Sequence, residues 1–187
     1  MVRLFFAVVV TIVLVASSHA GQSARHTLNG VTFSCSADYR PVSIEGLGSS
    51  VALFYDAQMR ALVFVAAPDE RVSEAKLVAD LQNAAARTIA GDGTFRWKRM
   101  FSPEAYNAFD KRRGEYWGYD GKQLVCFESH KLVFPSRTVW VGYAYFISEG
   151  QQARKDRNMG LGSLTDTVTI DASKRVARSI VRTTTGK

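Results

Sequence analysis

Histidine and cysteine are both scarce in this chain of 187 residues, which holds three of the first and two of the second. That scarcity excludes a dense disulfide scaffold and a metal module built from clustered cysteine and histidine pairs. Proline is limited to four residues, and neither internal repeats nor low-complexity segments break the chain. A nucleophile-elbow motif and a glycine-rich phosphate loop of the GxxxxGK[ST] type are also missing, so the sequence assigns no catalytic residue, cofactor or metal. What is present in quantity is apolar, at 47% of residues, enough for one domain to bury a core without staples.

The first twenty residues have a character of their own. Arg3 is followed by an apolar run from Leu4 to Ala16, interrupted by Thr11, and then by Ser17, Ser18, His19 and Ala20. This order reads as the charged, apolar and small-residue regions of a signal peptide over residues 1–20, with a cut after Ala20. Residues 21–187 are then expected to be a single exported domain, secreted or periplasmic. An uncleaved anchor is the alternative, but the run falls short of the roughly 18 apolar residues that a spanning helix needs. Cys35 lies too far downstream to accept a lipoprotein's lipid.

An even cysteine count in an oxidising compartment predicts that Cys35 and Cys126 pair as a disulfide. A bridge across so long a loop would contribute about 4–5 kcal/mol in the chain-entropy model. A redox-active pair would instead show the two cysteines close in sequence. The formal charge of +7, one less without Arg3, directs encounter towards anionic partners and also favours solubility.

Periodicity then orders the chain. Residues 30–36 alternate as a half-buried strand, and Val51–Tyr55 with Ala61–Ala66 reads as a hairpin around Asp56–Arg60. From Ser73 to Ala90 the spacing of Leu77, Leu81, Ala84, Ala85 and Ile89 predicts a long helix stopped by Gly91. Phe95–Phe101 alternates as a strand with Arg99 out of phase, and Ser102–Asp110 suits a helical turn opened by Ser102 and Pro103. Asp120-Gly121, between Lys111–Tyr119 and Lys122–Glu128, marks a second hairpin. Arg137–Ile147 is apolar on both faces, as a central strand would be. A loop at Gly160 and Gly162, a short strand at Thr165–Ile170 and a helix over residues 171–182, capped by Asp171, complete the order.

Together these predict an α+β fold: one twisted antiparallel sheet with the helices of residues 73–90 and 171–182 packed on one side of it. The order of elements, with the Asp120-Gly121 turn and the two helices, resembles that of PsbP-like domains over most of residues 21–187. The resemblance implies binding more than catalysis, and it carries over no functional residue.

Few groups are suited to chemistry. His26 falls in a polar lead, and His130 at an expected turn after Glu128. Cys126 with His130 makes a poor metal pair, since a strand separates them by several ångströms per step. Carboxylates such as Glu104 with Asp110, or Glu115 with Asp120, suit a glycosidase-like site only if they face one another. The best candidate surface is basic and aromatic: Arg96, Lys98 and Arg99 in one strand, Lys111, Arg112 and Arg113 in another, interleaved with Trp97, Tyr116, Trp117 and Tyr119. If the two strands pair, such a surface binds anionic polymers and stacks on sugars or bases. Alternation in Phe95–Phe101 favours the plainer reading, aromatics inward and cations in water. The expectation is a non-enzymatic binding or accessory domain for a partner protein or an anionic envelope polymer, with no dedicated nucleic-acid motif and no transmembrane segment once the signal is removed. Its rival is a hydrolase-type exported enzyme, which would gather His130 with acids or hydroxyls in a pocket.

Overall fold

The computed structural model describes residues 23–44, 46–68, 72–99, 113–147 and 164–185. Nine strands and two helices occur among them: β1 (Ser23–Leu28), β2 (Val31–Ser36), β3 (Arg40–Val42), β4 (Val51–Asp56), β5 (Ala61–Ala66), α1 (Glu74–Ala90), β6 (Arg96–Arg99), β7 (Arg113–Tyr119), β8 (Leu124–Phe134), β9 (Arg137–Ile147) and α2 (Leu164–Thr185). Strands β3 to β9 form one antiparallel sheet in the order β3-β4-β5-β9-β8-β7-β6, while β1 and β2 form a separate ribbon. The α+β class stands, as a single domain.

The long sheet is covered on both faces, because its central strands are apolar on both. In β5, Leu62, Phe64 and Ala66 point to one side, where Leu77, Leu81, Ala84, Ala85 and Ile89 of α1 bury them. Val63 and Val65 point to the other, where Phe33 of β2 and Ala172, Val176 and Ile180 of α2 complete a second core. The helices therefore lie on opposite faces. This corrects the expectation that both pack on one side: a central sheet with two apolar faces needs two covers.

Local chemistry explains the element ends. Ser73 caps α1, its hydroxyl accepting the Lys76 N–H at 3.3 Å, and Gly91 ends the helix at φ 84°. The β4–β5 loop is held by Asp56, whose Oδ1 accepts the N–H groups of Gln58 and Met59. Arg60, at the end of that loop, donates to the Ile89 carbonyl, and Gln123 donates to that of Ala90, so two side chains satisfy carbonyls at the end of α1. In the β7–β8 turn Asp120 accepts the N–H groups of Gln123 and Lys122, which hold its carboxyl below the ordinary range.

Two glycines admit rings. Gly142 lies opposite Phe64, and a Cβ there would come within 2.4 Å of that ring and 2.1 Å of the Glu128 carbonyl oxygen. Phe64 in turn stacks on Phe127, with centroids 5.3 Å apart. Gly118 plays the same part under Trp97, whose ring would be 2.8 Å from an added Cβ.

Several expectations need correction. The lead before Val31 is strand β1, and His26 lies in it against Phe33 and Phe54, with centroids 5.6 and 4.6 Å away. The turn between β1 and β2 is Asn29-Gly30, both at positive φ. Residues 165–170, expected as a strand, and Asp171, expected as a cap, lie inside α2. The buried positions 169, 172, 173, 176 and 180 keep one helical stripe going back past Asp171, and burying that stripe overrides the β-branched composition of the segment.

The predicted disulfide is not formed: Cys35 and Cys126 are both buried thiols. A bridge needs the two Cα atoms within about 7 Å. Strand β2 packs chiefly on β1 and α2, whereas β8 lies between β7 and β9, so each cysteine fills its own inward position as a small apolar residue. Residues 1–20, the Ser102–Asp110 turn and the Gly160–Gly162 loop lie outside the described residues.

Candidate functional site: a basic edge and a buried glutamate

Strand β6 is the outermost strand on its side of the sheet, and it pairs with β7. The register sets Arg96 opposite Tyr119, Trp97 opposite Gly118, Lys98 opposite Trp117 and Arg99 opposite Tyr116. Arg96, Lys98 and Arg99 are all exposed. The Arg99 guanidinium stands 6.0 Å from the Tyr116 ring centroid, at the outer limit of a cation–π contact. Tyr119 is 51% exposed, and its hydroxyl donates to the Gly121 carbonyl at 2.6 Å.

The aromatic residues divide between roles. Trp97 packs edge-on to Phe127 at 6.0 Å, and Trp117 is half-buried against the α2-side core. The inward reading thus holds for the tryptophans, while Tyr119 and the three cations of β6 remain at the surface. Arg113 opens β7 opposite His130, three residues before Tyr116, where the pairing with β6 begins. Lys111 and Arg112 lie outside the described residues. Of the predicted surface, the structure places Arg96 and Lys98 on one face of the edge strand and Arg99 on the other, while Trp117 is half-buried against the core.

A second cluster was not legible as such in the sequence. Glu128, in the middle of β8, is only 2% exposed. The Tyr143 hydroxyl donates to its Oε2 at 2.5 Å, and the His130 Nε2–H donates to its Oε1 at 2.8 Å. Tyr143 is its register partner on β9, and His130 follows two residues along β8 on the same face. Because β8 runs on to Phe134, His130 lies within the strand and not at a turn, and its side chain is 41% exposed. Alternation along β8 places Cys126, Glu128 and His130 on one face, but the imidazole bonds to Glu128.

The predicted carboxylate pairs do not form a site. Glu104 and Asp110 lie outside the described residues. Glu115 sits opposite Glu128, whereas Asp120 follows the end of the same strand five residues on, about 17 Å away at the rise of an extended chain. Among the described residues, no group of three or more His, Cys, Asp or Glu is placed to hold a metal ion. Nor is any described helix long and apolar enough to cross a membrane. Among the described residues, clefts of about 140 and 320 Å³ occur, and His130 lines neither of these.

The architecture has solved counterparts. The Ran-binding protein Mog1p of Saccharomyces cerevisiae is similar in structure, with a TM-score of 0.54 and 10% identity over 87% of this chain and 97% of that one. A mutant of Mog1 aligns with a TM-score of 0.51 and 9% identity, over 85% of this chain and 95% of that one. At these identities the likeness defines the fold. No family model and no curated protein matches the chain. The secreted or periplasmic location read from residues 1–20 is corrected here, since the counterparts are structures of a Ran-binding protein.

Proposed function

We propose that this chain is a non-enzymatic binding domain that engages an acidic protein surface through the β6–β7 edge. The single observation that carries the reading is the exposure of three cations on one edge strand, Arg96 and Lys98 on the face of Tyr119 and Trp117 and Arg99 on the other face, opposite Tyr116. Three adjacent cations in water attract a negative partner, and neighbouring rings add contact area and orientation. The net charge of +7 has the sign that such a partner selects. Mog1p, whose architecture this chain shares, is a Ran-binding protein, which supports a protein partner over a polymer. The resemblance to PsbP-like domains read from the sequence implies binding in the same way.

The competing reading is a hydrolase-type enzyme, and one observation favours it: His130 is oriented by a buried acid, as a catalytic base would be. Against it, His130 lines neither of the two clefts found among the described residues. We therefore read Glu128 as a buried acid satisfied by Tyr143 and His130.

The test is binding of the purified protein to poly-L-glutamate, heparin and Ran at low and at high salt. Retention that salt abolishes, and that the combined R96E, K98E and R99E variant lacks, supports the reading. Strong retention on heparin without any on poly-L-glutamate or Ran would favour a polymer over a protein partner. Equal retention of the variant on every ligand would overturn the reading.

A further inference from the structure

The two helices carry their charges differently. Both acids of α1 are paired, Asp80 with Lys76 at 2.5 Å and Glu74 with Lys131 of β8 at 2.6 Å, and Arg87 stands 3.8 Å from Asp92 just past the helix end. On α2, Lys174, Arg175 and Arg178 are exposed, and among the described residues no carboxylate lies within ion-pair distance of them. Lys174 and Arg178 are four residues apart, and Arg175 and Arg178 three, spacings that set like charges side by side and weaken a helix. The helix dipole does not offset this, because it acts on the last turn and α2 continues to Thr185. The fold therefore keeps three cations in an unfavourable arrangement and gives them no partner of its own.

A fourth exposed cation adjoins them. Arg25 of β1 lies opposite Ser34 of β2, and the Ser34 N–H donates at 2.9 Å to the hydroxyl of Ser179, the residue after Arg178. One helical turn on, the Thr183 hydroxyl donates to the Thr32 carbonyl at 2.6 Å. Two side chains of α2 thus bond the flank of β2 that β1 leaves free, and helix and ribbon hold their cations on one fixed surface.

That surface fits an acidic polypeptide better than other anionic macromolecules. A helix on a membrane surface inserts an apolar face, but Ala172, Val176 and Ile180 of α2 are buried in the core. Single-stranded nucleic acid stacks its bases on exposed rings. Helix α2 has no ring, and the one ring of β1, His26, lies against Phe33 and Phe54. Asp171, exposed one turn before Lys174 and Arg175, repels a chain charged at every step, and Val181, 40% exposed about one turn after Arg178, offers such a chain nothing. A polypeptide can set a neutral or basic residue at Asp171, acids along the cations and an apolar residue at Val181.

We propose that the outward face of α2, with Arg25 of the β1–β2 ribbon, docks an acidic segment of a partner protein whose carboxylates meet Arg25, Lys174, Arg175 and Arg178. Helix and ribbon are already bonded together, so docking orders only the long side chains and the segment itself. This surface is separate from the β6–β7 edge, and neither proposal depends on the other. With no ring beside its cations, it is the weaker of the two contacts.

The test uses the labelled full chain carrying R96E, K98E and R99E, so that the cations of β6 contribute nothing. It is titrated to millimolar concentration with the peptide acetyl-Asp-Glu-Ala-Glu-Glu-Leu-Asp-Glu-amide and followed by backbone amide NMR. Expected are saturable shifts at residues 171–181 and 24–27 that added salt reverses. Adding R178E should weaken binding about tenfold or more while the thermal midpoint stays level or rises, since the change removes like-charge contacts from an exposed helix face. Absence of shifts at residues 171–181, or equal binding by the R178E chain, would overturn the proposal and leave α2 with a merely solvated face. Tighter binding at the same residues of an oligothymidylate of equal charge, or of vesicles of phosphatidylserine and phosphatidylcholine, would overturn the assignment to an acidic protein.

Discussion

The hydroxyl of Tyr143 donates to the carboxylate of Glu128 directly across the β8–β9 register, 2.5 Å away in the middle of the sheet. A carboxylate with 2% of its surface exposed is rarely tolerated in a core unless partners satisfy it. Removing only the hydroxyl, as in Tyr143→Phe, should therefore cost about 1–3 kcal/mol, because a buried acceptor loses a donor while packing is kept. Urea unfolding reads this directly as a lower midpoint at unchanged slope. Wild-type stability in the variant would show that the bond contributes nothing net.

Gly142 is expected to be the least replaceable residue in the sheet. An alanine methyl there would overlap the Glu128 carbonyl oxygen at 2.1 Å and the Phe64 ring at 2.4 Å, so backbone as well as side chain must shift. Overpacking of this kind costs at least about 1–3 kcal/mol, and backbone displacement adds to it. Gly118→Ala meets the Trp97 ring first, at 2.8 Å, with no backbone atom nearer, and should be milder. Comparing the two thermal midpoints checks the order, and a lower midpoint for Gly118→Ala would contradict it.

Alkaline pH should unfold this protein in two overlapping stages. Burial pushes the Cys35 thiol from 9.0 up to about 11 and the Tyr39 phenol from 10.0 up to about 12. Both groups are neutral when protonated, so below pH 9 they are alike in folded and unfolded chains. Above it the unfolded chain loses protons that the folded chain keeps, and stability falls by up to about 1.4 kcal/mol per pH unit for each group. Urea midpoints should decline from pH 9 towards 12. The variant Cys35→Ala should show a shallower decline between pH 9 and 11, whereas an unchanged slope there would refute the assignment to Cys35.

The two thiols give a chemical check on the fold. Alkylation without reductant should leave native Cys35 and Cys126 unmodified over minutes and modify both once the chain is unfolded, as seen by intact mass. Burial keeps both sulfurs from the reagent, and the raised Cys35 thiol is further disfavoured as a nucleophile. A denatured, unreduced chain that resists alkylation would show a bridge between them.

The parts of this fold legible in the sequence are those with one dominant signal. Ser73, five apolar residues at helical spacing and Gly91 mark α1, and β9 is apolar on both faces from Arg137 to Ile147; both match their predicted bounds to within a residue. Asp56 and Asp120-Gly121 place two hairpins. The first hairpin carried an equally local signal, Asn29-Gly30, but it was masked by a polar strand β1, exposed at its first three residues and so without apolar alternation. Helix α2 was cut short because its first turns are rich in threonine and valine, and only burial against β2, β5 and β9 decides their state. The cations of β6 were legible because charge is local. Glu128 was not, because its significance lies in Tyr143, fifteen residues away and visible only once β8 and β9 are in register.

The most direct measurement of the central claim is calorimetric titration of poly-L-glutamate into the wild-type chain and the R96E, K98E and R99E triple variant across a salt series. A binding edge on β6 predicts wild-type affinity that falls as salt rises, and a variant at least about tenfold weaker at low salt with a flatter salt dependence. Because all three side chains are exposed, the variant should keep the wild-type thermal midpoint. Equal affinity and equal salt dependence in the two proteins would contradict the account and remove the β6–β7 edge as the binding surface.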